Sequence, residues 1–280
     1  AFLARNGVAA AGIEDWLAAP LLARADAAPA PGRWPLLLLA QGTGGAVQDQ
    51  AALGETLASR GYVVVTTPSP VRLGAKMESD ADVPAMAEEQ ARDLEMALSA
   101  AVSRPMVDAA RVGVIGYSFG ARPALLLAGR HPEFRALVSL DGGIGSAAAK
   151  GWLSPRALDR AALRTPILHV YEETDEDADP DFDLLASLVH APQTLAKVDG
   201  LRHLDFITFG LASALLPSMG GPDAHKAVAL QAVVALAEAF LDAHLRGEGG
   251  GWDALVAASG GGGSPVHVTP FGATPVRSGR

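Results

Sequence analysis

Arg111-Val112-Gly113-Val114-Ile115-Gly116-Tyr117-Ser118-Phe119-Gly120 is the stretch on which the reading of the fold turns. Its first half is apolar and β-branched, as a buried strand requires. Gly116 to Gly120 has the spacing G-x-S-x-G, and residues 119–129 carry a helical pattern. A strand that turns directly into a helix at a serine strains the backbone there and lifts the hydroxyl above the sheet edge. Side chains two before and two after the serine would collide in that bend, so glycine is needed at both places. The helix also points free N–H groups at the serine, where negative charge would develop. A dinucleotide-binding turn would carry G-x-G-x-x-G instead. That spacing is missing here, and Tyr117 and Phe119 flank the serine.

Outward from this bend, strand and helix patterns alternate. Leu36 to Ala40 is a continuous apolar run ending at Gln41-Gly42-Thr43-Gly44-Gly45, which fits a strand buried on both faces. Residues 47–60 read as a helix, 62–67 as a strand, and 86–103 as a helix. Further strands are expected at 136–140, 167–171 and 194–198. A short helix is expected near 155–163. The segment 223–245 reads as a long amphipathic helix with Val228, Ala232, Leu236 and Phe240 on one face. Residues 71–87 have no firm pattern and suit an active-site loop. Such alternation implies a mostly parallel central sheet with helices on both faces. It favours a single domain over 1–250, with an irregular N-terminal segment. Residues 251–280 then form a glycine-rich C-terminal extension, read as a short helix near 252–258 and a surface tail.

Composition narrows the function classes. Apolar residues make up 49% of the 280-residue chain and charged residues 19%, which excludes global disorder. A net charge of -9 disfavours nucleic acid and anionic membranes as partners. The apolar stretches are about strand length, short of the roughly 20 residues of a transmembrane segment. With no cysteine, disulfides, thiolate nucleophiles and thiolate metal sites are ruled out. The chain starts Ala1-Phe2-Leu3. A removed N-terminal segment would account for this and would fit a secreted or periplasmic protein. No pattern announces an oligomeric state.

Ser118 needs a base, an acid and an oxyanion site. Of seven histidines, His203 follows the last expected strand and precedes the long C-terminal helix, the setting expected of a late general base. His169 lies inside an apolar strand and reads as structural. Two acids compete. Asp141 ends the strand after the 119–129 helix, where a buried carboxylate requires a specific partner. Asp175 sits in the acidic run 172–183, which reads as a solvated face or, less readily, as a site for a hard cation such as calcium. The spacing is not that of an EF-hand, and no metal is assigned. The oxyanion donors are expected to be the backbone N–H groups of Phe119 and Thr43.

With these residues in place, the chain resembles the α/β-hydrolase superfamily, and within it the platelet-activating-factor acetylhydrolase-like and dienelactone-hydrolase-like branches. The resemblance runs from about Trp34 to about Leu245. The acetylhydrolase-like pattern has a G-x-S-F-G elbow, as at Gly116 to Gly120, and a phenylalanine three residues after the histidine, as Phe206 follows His203. It puts the acid on Asp141. The commoner superfamily pattern puts it one strand later, which keeps Asp175 open. Two departures stand out. Gln41-Gly42 replaces the His-Gly of many relatives, and the cysteine nucleophile typical of dienelactone hydrolases is absent. The hairpin strands usual at the start of the fold are not evident before Trp34.

The resemblance implies a serine carboxylesterase without cofactor, acting through an acyl-enzyme, and the little room the sequence leaves for a lid favours small or short-acyl esters. Phe119, Trp152 and Phe206 are expected to line the acyl pocket. An amidase or peptidase would use the same three residues, and a non-catalytic binding protein would keep the fold without the chemistry.

Overall fold

The computed structural model describes residues 9–147, 151–153, 157–174, 179–259 and 263–271. Strand β1 (Trp34–Ala40) is fully buried from Pro35 onward. Its leucines alternate between two cores, as period-two side chains must in a strand covered on both faces. Leu36 and Leu38 join one apolar cluster. Leu37 and Leu39 join the other.

The chain leaves β1 through a 3-10 turn (Val47–Gln50) and α2 (Ala51–Ser59), then pairs β2 (Val63–Thr67) beside β1. Helix α3 (Val83–Val102) carries it back over the opposite face to β3 (Val107–Tyr117), on the other side of β1. From there α4 (Ala121–Arg130), β4 (Phe134–Leu140), β5 (Ile167–Tyr171), α5 (Asp183–Ala186) and β6 (Gln193–Val198) extend the sheet in one direction. With a last strand β7 (Val266–Phe271), the order is β2-β1-β3-β4-β5-β6-β7. Pairing is parallel except between β6 and β7. Strand order reverses between β1 and β3, and a crevice opens beyond the carboxyl ends of strands at such a switch point.

Helices α3 and α4 pack on one face through Met86, Leu94, Leu98, Leu125 and Leu127. Leu57 of α2 and Val233, Leu236, Phe240 and Leu241 of α7 (Ala224–Leu241) pack on the other. Helix α6 (Thr208–Leu215) lies against α7, and α8 (Gly250–Ala258) follows it.

Several expectations are corrected. The segment before Trp34 contains a helix, α1 (Ala10–Ala18), with Trp16 edge-on to Phe209 at 6.2 Å. Among the described residues no strand precedes β1. Residues 157–163 form turns rather than a helix. There Asp159 Oδ1 accepts from the N–H groups of Ala161 and Ala162 at 3.0 and 3.2 Å, a local alternative to helical bonding. The expected surface tail supplies β7, which pairs antiparallel with all of β6 and covers that edge of the sheet. The buried stripe of α7 is set by Ala229, Val233, Leu236, Ala237, Phe240 and Leu241, while Val228 is exposed. Ala224–Arg246 is long and apolar enough by length and composition to cross a membrane, with mean hydropathy 1.5. No stretch of that kind was expected from the sequence; 44% of its apolar window is buried inside the protein, and it packs on β4 and β5.

Candidate active site

The bend after β3 has the strain its sequence implies. Ser118 has φ 53°, in the left-handed region that L residues rarely occupy. A Cβ on Gly116 would lie 2.5 Å from Ala121 Cα, and one on Gly120 would lie 2.1 Å from the carbonyl oxygen of Ala40. Both glycines are therefore dictated by backbone contact, the second by β1 itself.

Ser118, His203 and Asp141 come together from three separate connections. Ser118 Oγ lies 2.9 Å from His203 Nε2, and His203 Nδ1 lies 2.5 Å from Asp141 Oδ2. The Asp141 side chain is 3% exposed and the His203 side chain 26%. Asp141 also has positive φ, 43°, just past the end of β4. Its N–H donates to the carbonyl of Val170 at 2.7 Å, and its Oδ1 accepts from the N–H of Glu172 at 3.3 Å. The two carboxylate oxygens are thus divided between the imidazole and the backbone of the neighbouring strand end. Asp175 lies outside the described residues.

His203 opens a 3-10 turn (His203–Phe206) anchored by buried Asp205. Asp205 Oδ2 accepts from the N–H of Arg202 at 2.9 Å, and Oδ1 pairs with Lys226 Nζ at 2.9 Å. Tyr117 supports the same turn. Its ring stacks on the imidazole at 5.1 Å, and its hydroxyl donates to the carbonyl of His203 at 3.1 Å.

Thr43 and Phe119 both line the cleft that contains Ser118. The loop 41–45 that carries Thr43 is held by its neighbours. Gln41 is fully buried and donates from Nε2 to Thr66 Oγ1 at 2.9 Å, and its carbonyl accepts from Gln90 Nε2 at 2.9 Å. Ser69 Oγ accepts from the N–H of Gly44 at 3.1 Å. Gly42 sits against the Tyr117 ring, which a Cβ would meet at 3.0 Å.

The cleft has a volume of about 320 Å³. The segment 71–87 borders it through Met77, Asp80 and Val83, but it is a loop only in part: α3 begins at Val83. Of the three aromatic residues expected in the acyl pocket, only Phe119 lines it. Trp152 is buried, with Arg122 over its ring at 5.8 Å. Phe206 turns into the core on the α7 face and borders a different cavity. The turn after His203 rotates that ring away from Ser118, a direction that sequence spacing does not carry. Sequence reasoning missed Arg122, His169 and Tyr171 as cleft residues. The Arg122 guanidinium is lowered to about 10 by burial, against the attraction of Asp80. His169 is structural, as expected, but also borders the cleft. Its Nδ1 lies 2.9 Å from Ser139 Oγ, and burial lowers it to about 3. Only the sheet register, which pairs Ser139 with His169, places it there.

The acidic run is not uniformly solvated. Glu172 is fully buried and accepts from the N–H and hydroxyl of Thr174. Among the described residues no group of three or more His, Asp or Glu is arranged to hold a metal ion.

The family model described as "Dienelactone hydrolase family" matches residues 21–199, which include Ser118 and Asp141 and stop short of His203. No curated protein matches the chain. A solved structure described as a ferulic acid esterase from Streptomyces cinnamoneus aligns with TM-score 0.62 and 23% identity. The alignment covers 79% of this chain and 70% of that one. The likeness extends the shared architecture beyond the matched segment to most of the chain. By the match over 21–199 and the sheet that carries it, the chain belongs to the dienelactone hydrolase family of α/β-hydrolases.

Proposed function

We propose that this family member is a serine carboxylesterase that hydrolyses small or short-acyl esters through an acyl-enzyme. The observation that carries the reading is the continuous contact Ser118 Oγ, His203 Nε2, His203 Nδ1, Asp141 Oδ2, at 2.9 and 2.5 Å. A serine hydroxyl is a weak nucleophile until an adjacent base removes its proton. In the tautomer whose Nδ1–H donates to Asp141, Nε2 is free to take that proton as Ser118 attacks the carbonyl. The Asp141 carboxylate favours the imidazolium that forms. The N–H groups of Phe119 and Thr43 receive the oxyanion, and the α4 N-terminus adds its dipole. His203 then protonates the leaving alcohol and later activates water. The chemistry needs no cofactor. A cleft of about 320 Å³ suits a small acyl group better than a long chain.

The test is twofold. A fluorophosphonate probe is expected to label Ser118 in the folded protein and to leave Ser118→Ala unlabelled. Matched nitrophenyl esters and nitroanilides of two to twelve acyl carbons are expected to show fastest turnover with the short esters. Faster anilide turnover would convert the reading to an amidase, and no labelling of folded protein would reduce it to a binding protein.

A further inference from the structure

The cleft beside Ser118 has a polar feature that the triad does not use. His169, on β5, borders it and is 1% exposed. Its ring lies parallel to Tyr171 at 5.8 Å and edge-on to Phe182 at 5.9 Å, which fixes its plane. One ring nitrogen, Nδ1, lies 2.9 Å from Ser139 Oγ. The other, Nε2, has no hydrogen-bond partner among the described residues and is not shut off from solvent. Gly145 leaves that opening. It borders the cleft as well, and a Cβ in its place would lie 2.1 Å from Nε2.

Counting donors places the ring proton. Ser139 is fully buried, and its hydroxyl has His169 Nδ1 as its one partner among the described residues. With the proton on Nδ1, the Ser139 O–H would donate to nothing, which is unfavourable for a buried group. With the Ser139 O–H donating to Nδ1, the hydroxyl is satisfied and the proton of the neutral ring sits on Nε2. The ring is neutral because burial lowers its proton affinity to about 3. The cleft therefore has an uncharged N–H donor, held from behind by a buried serine.

We propose that His169 sets specificity at the Ser118 cleft by donating from Nε2 to a second, uncharged oxygen of the ester, an ether, hydroxyl or carbonyl oxygen away from the scissile group. The proposal rests on the ester reading and narrows its substrates. An ester with a methylene in place of that oxygen would bury the N–H without an acceptor, so the site discriminates against it. The charges favour an uncharged acceptor: among the described residues that border the cleft, the carboxylates of Asp80 and Asp141 stand against the guanidinium of Arg122.

Nitrophenyl methoxyacetate and nitrophenyl butanoate differ by an ether oxygen in place of a methylene, and 2-methoxyethyl and butyl acetate make the same exchange in the alcohol. Each kcat/KM ratio is divided by the ratio for hydroxide, which removes intrinsic reactivity. The wild type is expected to favour the ether ester about fivefold in at least one pair, the equivalent of one net hydrogen bond. The double variant His169→Phe, Ser139→Ala removes the donor without leaving the serine unpaired, and is expected to abolish the preference. Corrected ratios near one in both wild-type pairs, or a preference retained in the double variant, overturn the proposal. Absence of turnover on any of these esters overturns the ester reading together with it. If the double variant folds poorly, Gly145→Ala, whose methyl would cover Nε2, takes its place with the same expectation. Independently of activity, long-range 1H–15N NMR spectra of the wild type are expected to show His169 as the Nε2–H tautomer. The Nδ1–H tautomer is equally adverse.

Discussion

At the scale of single residues, Asp141, just past the end of β4, and His169, inside β5, illustrate two uses of a buried polar group. Asp141 is held on one oxygen by backbone and turned on the other to His203. Asp141→Asn keeps the shape and removes the preference for the productive tautomer. It is expected to lower kcat by about four orders of magnitude, the effect that the same exchange has in a serine protease triad. Asp175→Asn is expected to leave kcat within a factor of a few. Steady-state kinetics on the two variants, each checked for folding, decide between them, and the reverse result moves the acid to Asp175. His169 has the opposite task. Burial lowers its proton affinity to about 3, so the folded protein holds it neutral. Unfolded, it takes up a proton near the ordinary histidine value, about 6.5. Its contribution to stability is complete above that value and is lost as pH falls toward 3. The loss approaches about 1.4 kcal/mol per pH unit within that window. His169→Gln is therefore expected to show a shallower decline in unfolding free energy between pH 6 and 4, measured by urea titration. Parallel curves for the two proteins would contradict this.

At the scale of elements, the 3-10 turn His203–Phe206 is too short to hold its own geometry and borrows it from neighbours. Asp205 joins it to Arg202 and to Lys226 at the start of α7, and Tyr117 joins it to the elbow. Asp205→Ala leaves Lys226 without its buried partner and the Arg202 N–H without an acceptor. A loss of about 3 kcal/mol in stability is expected, as for other buried pairs broken on one side. Because the same turn carries His203, kcat is expected to fall as well, and the measurement is thermal unfolding paired with kinetics. Unchanged melting would show that α6 and α7 hold the turn without Asp205.

At the scale of the molecule, β7 is the element furthest from the elbow in sequence, and a relay of aromatic contacts still links it to the cleft wall. It covers the edge of β6, and Phe271 meets Phe182 at 5.8 Å. Phe182 in turn contacts Tyr171 and His169, both on the cleft wall. Deleting residues 264–280 is expected to expose the β6 edge, lower the melting temperature by several degrees and raise aggregation. Scanning calorimetry with light scattering reads both. A truncated chain that melts like the full one would return this strand to the status of a surface tail.

The elbow, the alternation of strands with helices and the candidate positions Ser118 and His203 were legible along the chain, while the acid stayed open between Asp141 and Asp175. Each depends on local physics: the bend admits only glycine two residues before and two after the serine, a twice-covered strand must be apolar throughout, and a buried carboxylate needs a partner. What the linear order could not contain was direction and company. Phe206 faces the α7 core instead of the cleft, His169 and Tyr171 reach the cleft through strand register, and the glycine-rich end closes the sheet. Such outcomes are set by which surfaces meet after the sheet is assembled. A side chain's neighbours across strands are fixed by packing and register, and the residues beside it in sequence carry almost no trace of them.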